Sequence, residues 1–245
     1  MNCDLTSVAA QIRVEQLQFG YRATQPIAHH LTFTLQSGET VGLVGPNGAG
    51  KTSLFLLLTG LLTPQAGKIY LSDRPLKSGQ FIPEIGLVFQ NPDDQLFCAS
   101  VWDDVAFGAE NLGWPPGQVQ TAVQQALNTT GVVHLAQRSP HQLSGGEKTM
   151  AAIASVLVMN PLVMLYDEPS AHLDLAARRR LINFLQTTPQ TNLIASHDLA
   201  LILEVCDRVL LLDQGQILAD GPPKTILADE SLLTAHHLEV PGQLR

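Results

Sequence analysis

The glycine-rich segment GPNGAGKTS, from Gly45 to Ser53, constrains the fold of this chain more than any other feature. It matches the pattern G-x-x-x-x-G-K-[ST], and it lies between an apolar run typical of a buried strand and SLFLLLTGLL, which predicts a buried helix. Glycines let backbone N–H groups approach phosphates closely, and the positive N-terminal end of the following helix attracts them. Lys51 supplies a charge for the outer phosphates, and the Thr52 hydroxyl is a suitable Mg²⁺ ligand. The sequence therefore predicts a nucleoside triphosphate site formed by Gly45, Pro46, Asn47, Gly48, Ala49, Gly50, Lys51, Thr52 and Ser53.

The segments around this loop favour an α/β fold. QIRVEQLQFGY alternates apolar and polar residues, which predicts a half-buried strand. LTFTLQSGETVGLVG predicts a β-hairpin that turns at Ser37 and Gly38, and GKIYLSD and IGLVFQ are further strand candidates. RVLLLDQGQILADG predicts a second hairpin that turns at Gln214 and Gly215.

Residues 101–138 differ in character from the predicted sheet. VWDDVAFGAENLG and PPGQVQTAVQQALNTTG predict two helices, and we expect an inserted helical lobe here. A further helix is predicted from the LSGG segment to about Met159. The strands LVMLYDE and NLIASH then alternate with helices as far as Cys206, as in a parallel sheet, and the tail from Pro222 is predicted to be short and helical.

Two adjacent acids, Asp167 and Glu168, come at the end of the predicted strand LVMLYDE. Because strand alternation sends neighbouring side chains to opposite sides, we expect the two acids to have different roles. Asp167 is predicted to belong to the magnesium shell, and Glu168 to orient or deprotonate the attacking water. His197 follows the strand NLIAS, where it is placed to reach a γ-phosphate from the carboxyl edge of the sheet.

Composition excludes several classes of protein. The net charge of −8 disfavours a nucleic-acid partner, because an acidic surface repels phosphate backbones. Three scattered cysteines (Cys3, Cys98 and Cys206) form neither a disulfide framework nor a zinc site, and they favour a reducing compartment. The N-terminal segment MNCDLTSVAAQIRVE lacks the basic residues of a signal peptide, and the longest apolar run is much shorter than the ~20 residues of a membrane-spanning helix.

The segments GPNGAGKTS, VFQ, LSGGE, LYDEPSAHLD and ASHD occur in the order found in ATP-binding cassette ATPases, which this chain resembles along essentially its whole length. The resemblance implies a P-loop NTPase cassette with a RecA-like mixed sheet core, an N-terminal antiparallel β subdomain and an inserted α-helical subdomain. It implies one ATPase domain over residues 1–245, with the nucleotide-binding core and β subdomain at about 1–90 and 161–221. The helical subdomain would occupy 91–160 and a short helical tail 222–245.

The resemblance assigns further residues. LSGGE is the family's signature, which caps the γ-phosphate held by a second subunit, so that two chains enclose two ATP molecules head to tail. By matching position, the signature contributes Ser144, Gly145, Gly146 and Glu147. Tyr21 matches the aromatic residue that stacks on adenine, and Asp174 matches the aspartate of the loop that crosses the dimer interface. Gln90 matches the glutamine that senses both the magnesium ion and the attacking water.

The sequence departs from the family pattern at three positions. Thr149 and Met150 stand where the family usually has a polar residue and an arginine, which puts any salt bridge of that arginine in doubt. His172 occupies a place often filled by a small residue, so the geometry of the interface loop is open. Because both acids and the signature are intact, we expect two competent sites in a homodimer.

Two longer stretches resemble one branch of the family. QNPDDQLFCASVWDDVAFGAENLG and GQILADGPPKTILADESLLTAHHLEVP are similar to the corresponding parts of energy-coupling-factor ATPases, which drive uptake of cobalt, nickel or vitamins. The resemblance implies docking on a transmembrane coupling subunit at the cytoplasmic face of the membrane, with a separate membrane protein that captures the substrate. Asp93, Asp94 and the adjoining helix would form part of the docking surface.

Three alternatives remain open from the sequence. The cargo of the transporter could be a vitamin instead of cobalt or nickel. The chain could be a soluble cassette ATPase acting on DNA or ribosomes, although such relatives usually carry long insertions and basic surfaces. It could also be a regulatory binder that does not hydrolyse ATP, against which Glu168 and His197 argue. The pairs His29-His30 and His236-His237 are interpreted as ordinary surface residues, because neither has a nearby set of metal ligands.

Overall fold

A computed structural model describes residues 12–22, 27–171 and 173–244. The strands are β1 (Ile12–Phe19), β2 (Ala28–Leu35), β3 (Thr40–Val44), β4 (Ala66–Leu71), β5 (Arg74–Pro75), β6 (Ile85–Val88), β7 (Val163–Asp167), β8 (Thr191–Ala195), β9 (Arg208–Asp213) and β10 (Gln216–Gly221). The helices are α1 (Lys51–Leu58), α2 (Val101–Asn111), α3 (Pro116–Thr129), α4 (Gly145–Leu157), α5 (Leu175–Thr187), α6 (Leu199–Val205), α7 (Pro223–Ile226) and α8 (Glu230–Ala235). Short 3₁₀ turns lie at Pro92–Asp94, Val133–Leu135, Pro140–Gln142 and Gly242–Leu244.

The strands form two sheets. One is antiparallel with the order β2-β1-β4-β5, and the other has the order β10-β9-β3-β8-β7-β6. In the second sheet all neighbouring strands are parallel except β10, which pairs antiparallel with β9 through the hairpin turn at Gln214 and Gly215. Both turn residues have positive φ angles, as a two-residue hairpin turn favours. The predicted second hairpin and the predicted mixed α/β fold are therefore confirmed.

The first predicted hairpin is wrong. β2 and β3 are consecutive in the chain, but β2 pairs with β1 in the antiparallel sheet and β3 pairs with β8 and β9 in the other. All five residues of β3 are buried, which is typical of a strand covered on both faces of a parallel sheet. Ser37 and Gly38 therefore carry the chain from one sheet to the other.

The helix after the phosphate loop is shorter than predicted. It ends at Leu58, because Gly60 adopts a left-handed conformation with φ 75° that stops the helix. The remaining predicted helices are present, including α2, α3 and α4 in the segment before β7. In the ranges that the structure describes, no helix combines the length and the apolar character needed to cross a bilayer.

Two apolar clusters lie on opposite sides of the six-stranded sheet. One contains the interior of the antiparallel sheet and α1, and the other contains α2 to α6 and the tail helices. Because β3, β7 and β8 are parallel, their carboxyl ends meet at one edge. The phosphate loop, the acidic pair and the His197 loop leave the sheet at that edge.

Candidate functional site: a phosphate loop facing an acidic pair

The phosphate loop turns sharply between β3 and α1, and two of its glycines have no room for a side chain. A Cβ at Gly45 would lie 2.0 Å from the carbonyl oxygen of Leu212 in β9. A Cβ at Gly50, where φ is 100°, would lie 2.6 Å from the Cγ2 of Ile27. Gly50 is also the N-cap of α1, so no side chain caps the first N–H groups of that helix. These N–H groups are available to an anion, as the sequence motif predicts.

Lys51 is buried at the first position of α1. Its Nζ donates to the carbonyl oxygens of Gly45 at 2.8 Å and Pro46 at 3.2 Å, and it lies 3.3 Å from His197 Nε2. Burial lowers the pKa of Lys51, although Glu168 and Asp167 partly oppose the shift. A bound phosphate would also favour the charged ammonium, because an opposite charge nearby raises the pKa of a lysine.

Thr52 and Asp167 join the loop to β7. The Thr52 hydroxyl donates to Asp167 Oδ2 at 2.6 Å. Burial raises the pKa of Asp167, against the opposing effects of the Thr52 hydrogen bond and the Lys51 charge. A divalent cation would offset this burial cost, and hydroxyl and carboxylate oxygens are the donors that Mg²⁺ prefers. These residues therefore fit a nucleotide-bound Mg²⁺, to which the exposed Gln90 at the same cavity can add an amide oxygen.

Glu168 is only 8% exposed and has a left-handed backbone with φ 47°. This conformation costs a non-glycine residue on the order of 1–3 kcal/mol, so the surrounding contacts must hold it. Its backbone N–H donates to the Ala195 carbonyl oxygen at 2.9 Å, and its Oε2 accepts from the His197 backbone N–H at 3.0 Å. Its Oε1 is buried without a hydrogen-bond partner among the described residues, although His197 Nε2 is 3.3 Å away. The carboxylate therefore has one oxygen held and one available to a water.

These groups line one cavity of about 290 Å³. Its lining residues are Ile27, residues 47–53, Gln90, Asp167, Glu168 and His197. Tyr21 lies beside it, with its hydroxyl 3.4 Å from Ser53 Oγ and its side chain 62% exposed. Phe19 supports the Tyr21 ring edge-to-face at 5.1 Å. The exposed ring is therefore available to a base stacked above it. The structure thus brings together the predicted residues of the phosphate loop, the metal shell, the base and the aromatic platform.

The signature residues do not line this cavity. Ser144 and Gly145 are exposed at the start of α4, and Ser144 is the N-cap of that helix. Glu147 Oε2 accepts from both the Ser144 N–H and the Ser144 hydroxyl at 2.8 Å, and the backbone hydrogen bond lowers the pKa of Glu147. Gly145 instead faces a smaller cavity of about 150 Å³, which it shares with Gln90 and Glu168. The signature of this chain is thus not positioned to contact a nucleotide bound in the phosphate loop of the same chain.

Two of the positions that depart from the family pattern, Thr149 and Met150, have structural roles. Thr149 is buried and donates its hydroxyl to the Gly145 carbonyl oxygen at 3.1 Å, and Met150 is buried in the apolar cluster around α4. Met150 thus replaces a charge by core packing. Asp174 caps α5 by accepting from the Ala177 N–H at 2.7 Å, and it is exposed. His172 lies outside the described residues.

The histidine pairs need one revision. His29 and His30 are exposed, as predicted. His236 is half-buried, and its Nδ1 lies 2.8 Å from Asp213 Oδ2, so it holds the tail against the end of β9. Within residues 12–22, 27–171 and 173–244, no three or more His, Cys, Asp or Glu side chains are grouped to hold a metal ion.

Two sets of contacts near the site were missed by sequence reasoning. Gln95 accepts from the Phe89 N–H at 3.1 Å and donates to the Ala152 carbonyl oxygen at 2.8 Å, which fastens the Gln90 loop to α4. Arg178 forms two hydrogen bonds with Asp198, the residue after His197. Arg178 and Asp198 are 20 residues apart in the sequence, and no local pattern predicts that they pair.

Comparisons with known proteins agree with this arrangement. A family profile described as "ABC transporter" matches residues 28–171. An ABC transporter ATP-binding protein of Synechocystis is 53% identical over 234 residues, covering 96% of this chain and 82% of that protein. The energy-coupling factor transporter ATP-binding protein EcfA of Methanothermobacter thermautotrophicus is 39% identical over 241 residues, covering 94% and 76%. Among solved structures, cbiO1 of Clostridium perfringens, part of the ABC transporter complex cbiONQ, superimposes with a TM-score of 0.82 at 34% identity, covering 91% of this chain and 93% of that one.

Proposed function

This chain belongs to the ABC transporter family of ATP-hydrolysing proteins, and on that basis we propose that it is the motor subunit of a membrane importer of the energy-coupling type. The family binds ATP with Mg²⁺ and hydrolyses it. One observation carries the proposal for this chain: Lys51, the Thr52–Asp167 pair, Glu168 and His197 meet at one cavity on the carboxyl edge of the sheet. We further propose that residues 91–160 act as the helical lobe and 222–245 as a tail of this single ATPase domain.

The residues have separate roles in the proposed mechanism. The phosphate loop and Lys51 bind the phosphates, and Thr52, Asp167 and Gln90 would hold the Mg²⁺. When bound, the Mg²⁺ neutralises phosphate charge. Glu168 orients the attacking water and takes its proton at the unpartnered Oε1. His197 is placed to contact the γ-phosphate beside Lys51, because its Nε2 lies 3.3 Å from the Lys51 Nζ.

We propose that two copies complete each other's sites. Ser144 and Gly145 are exposed and do not line the nucleotide cavity of their own chain, which suits contact with a second nucleotide. Moving a dimer from mostly open to mostly closed needs about 5.5 kcal/mol of differential binding. Hydrogen bonds to charged groups contribute roughly 1.5–3 kcal/mol each, so two or three contacts at each of two sites are sufficient. Loss of the γ-phosphate would remove them.

Disulfide crosslinking tests the closed dimer. Gly45 has no room for a side chain, so the exposed Asn47 of the same loop is the better position. In a cysteine-free background, a mixture of Ser144→Cys and Asn47→Cys chains should crosslink with ATP and Mg²⁺ present and not without them. Absence of the crosslink in both conditions would contradict the head-to-tail arrangement.

We propose that the transmembrane subunit docks in an apolar groove beside the Gln90 loop. This docking groove has a volume of about 370 Å³ and is lined by Leu61, Phe81, Ile82, Leu87, Phe89 and Met159. Phe81 is 69% exposed and Leu61 67% exposed, a large apolar surface for one side of a partner helix. Asp93 and Asp94 follow Phe89 closely, but Asp93 already pairs with Lys148 at 2.6 Å. Asp94 is therefore the better candidate for contact with a basic residue on the partner helix.

The docking proposal places the chain at the cytoplasmic face of the membrane, and mild detergent extraction tests it. A tagged chain should co-purify with a hydrophobic membrane protein. Phe81→Asp should abolish this association and leave ATP binding unchanged. Val133→Asp changes another exposed apolar side chain, 39% exposed and outside the groove, and should do neither. Sedimentation of the chain with ribosomes or DNA would instead favour a non-transport function.

For the cargo we propose a transition-metal ion, cobalt or nickel, and vitamin uptake is the alternative. The support is the likeness to EcfA and to cbiO1 over most of the chain, together with the two stretches that resemble metal- and vitamin-uptake ATPases. Cells carrying the wild-type gene should accumulate radioactive cobalt or nickel faster than cells carrying Glu168→Gln. Equal metal uptake with unequal vitamin uptake would move the assignment to vitamins.

A further inference from the structure

Arg178 of α5 pairs with the residue that follows His197, at the start of α6. Arg178 lies in the first turn of α5, and its Nε and Nη2 donate to the two carboxylate oxygens of Asp198 at 2.6 and 3.1 Å. Asp198 also caps α6 by accepting from the Leu201 N–H at 2.9 Å. A bidentate guanidinium–carboxylate pair fixes orientation as well as distance.

The loop between β8 and α6 is thus held at both ends. The His197 N–H donates to Glu168 Oε2 on one side, and the Asp198 N–H donates to Ser196 Oγ at 3.0 Å. On the other side the Asp198 carboxylate is fixed by Arg178. Burial alone would raise the pKa of Asp198, but the hydrogen bonds from Arg178 and Leu201 outweigh it and the pKa lies below its ordinary value. Asp198 is therefore ionised and paired at neutral pH.

The turn of α5 that carries Arg178 is fixed by a helix cap and by close packing on α4. Asp174 caps α5, and the backbone of Gly146 in α4 packs so closely on the neighbouring Ala177 that a Cβ at Gly146 would lie 2.3 Å from the Ala177 Cβ. The turn of α5 that carries Arg178 thus contacts the signature helix directly.

We propose that Arg178 is a positioning residue, which acts through Asp198 to hold the His197 ring between Lys51 and Glu168. This inference rests on the proposed ATP hydrolysis at the site. It assigns to Arg178 an effect on turnover and little effect on ATP affinity, because the phosphate loop makes the ground-state contacts. A loosened His197 loop should therefore affect the step in which the γ-phosphate is attacked.

The chain offers a matched control for the test. Arg179 is the next residue of α5, and it pairs with Glu204 of α6. Arg178→Met and Arg179→Met each remove one ion pair of α5, the first with the N-cap Asp198 of α6 and the second with Glu204 within α6, and only the first pair adjoins His197. We expect Arg178→Met to lower kcat about 10-fold, or about 1.4 kcal/mol, with KM for ATP within about twofold of wild type. Arg179→Met should change neither, and Arg178→Lys should restore part of the loss.

Two further measurements separate positioning from general destabilisation. In a His197→Ala background, Arg178→Met should lower kcat less than about twofold, because the residue it positions is gone. Hydrogen–deuterium exchange of residues 196–201 should be faster in Arg178→Met and unchanged in Arg179→Met. Equal effects of the two methionine variants on kcat and exchange, or an undiminished effect of Arg178→Met without His197, would overturn the proposal. Absence of wild-type turnover would refute the proposed hydrolysis, and the exchange measurement would still decide whether Arg178 holds the loop.

Discussion

Gly146 offers a direct test of how closely the signature helix must pack on α5. It is the second residue of α4, and a Cβ there would lie 2.3 Å from the Ala177 Cβ, whereas ordinary contact begins at 3.4 Å. Both Cβ atoms are bonded directly to the backbone, so no rotamer change relieves the overlap. Gly146→Ala therefore requires the two helices to separate by about 1 Å.

This separation has separate consequences for stability and for turnover. Replacing glycine by alanine inside a helix gains about 1 kcal/mol, and overpacking costs roughly 1–3 kcal/mol. We expect the free energy of unfolding to fall by zero to about 2 kcal/mol, so the chain stays folded. A misplacement of about 1 Å at a reacting group can cost about 100-fold in rate. We therefore expect kcat to fall on the order of 100-fold, because Ser144 and Gly145 move with the helix.

Gly117 provides the control. It is also the second residue of a helix, α3, and a Cβ there would meet no atom of the described residues within 4 Å. Gly117→Ala should raise the free energy of unfolding by up to about 1 kcal/mol and leave kcat unchanged. In Gly146→Ala, the second change Ala177→Gly removes the opposing Cβ and should restore most of the turnover. If Gly146→Ala proves as stabilising as Gly117→Ala and keeps its ATPase rate, the close packing of α4 on α5 does not govern the signature.

Three other predictions concern the site itself. Glu168→Gln should bind ATP and form a dimer that is stable in gel filtration, because the amide oxygen can still accept from the His197 N–H. Its kcat should fall about 10²- to 10⁴-fold, because no base remains. Unchanged turnover would exclude Glu168 as the base. Lys51→Met should weaken binding of a fluorescent ATP analogue about 10- to 150-fold. This corresponds to roughly 1.5–3 kcal/mol for the loss of a hydrogen bond to a charged group. Full affinity would contradict the proposed contact of Lys51 with the phosphates. Because the pKa of Asp198 is lowered, the stability it contributes is present above the ordinary carboxyl pKa of about 4 and is lost as the pH falls through the folded-state value. Urea unfolding should therefore separate wild type from Arg178→Met at neutral pH and not in strong acid; an equal gap at both pH values would show that the pair is not the cause.

The sequence predicted well those parts of the site in which neighbouring residues act together. The phosphate loop and the acidic pair after β7 are continuous segments whose spacing is set by a strand, a turn or a helix start. Their relative placement followed from the parallel sheet, because the ends of β3, β7 and β8 must meet at one edge. The Thr52–Asp167 hydrogen bond is a consequence of that edge, although the two residues are far apart in the chain.

The sequence did not predict which strands pair, or which charged side chains pair, when the partners are distant in the chain. The turn at Ser37 and Gly38 looked like a hairpin because two apolar segments flank it at hairpin spacing. Local pattern cannot tell a strand that pairs with its neighbour from one that enters another sheet, and only the continuous burial of β3 distinguishes them. The same holds for the arginine run at 178–180, in which Arg178 and Arg179 have different partners on α6 and its preceding loop. Three identical side chains give no signal of which one pairs with the residue after His197.

In the proposed dimer the N-termini of α1 and α4 both face phosphate, but they are capped differently. The difference in capping predicts a different role for each helix. α1 begins at Gly50 and has no side-chain cap, so its first N–H groups depend on an external anion. α4 begins at Ser144 with a complete capping box, in which Ser144 and Glu147 satisfy each other. A phosphate at α4 must therefore compete with the Glu147 carboxylate for the Ser144 hydroxyl, whereas a phosphate at α1 displaces no side chain of the first turn. In the proposed dimer we therefore expect α1 to make the stronger contact with ATP and the signature to add a weaker, reversible one.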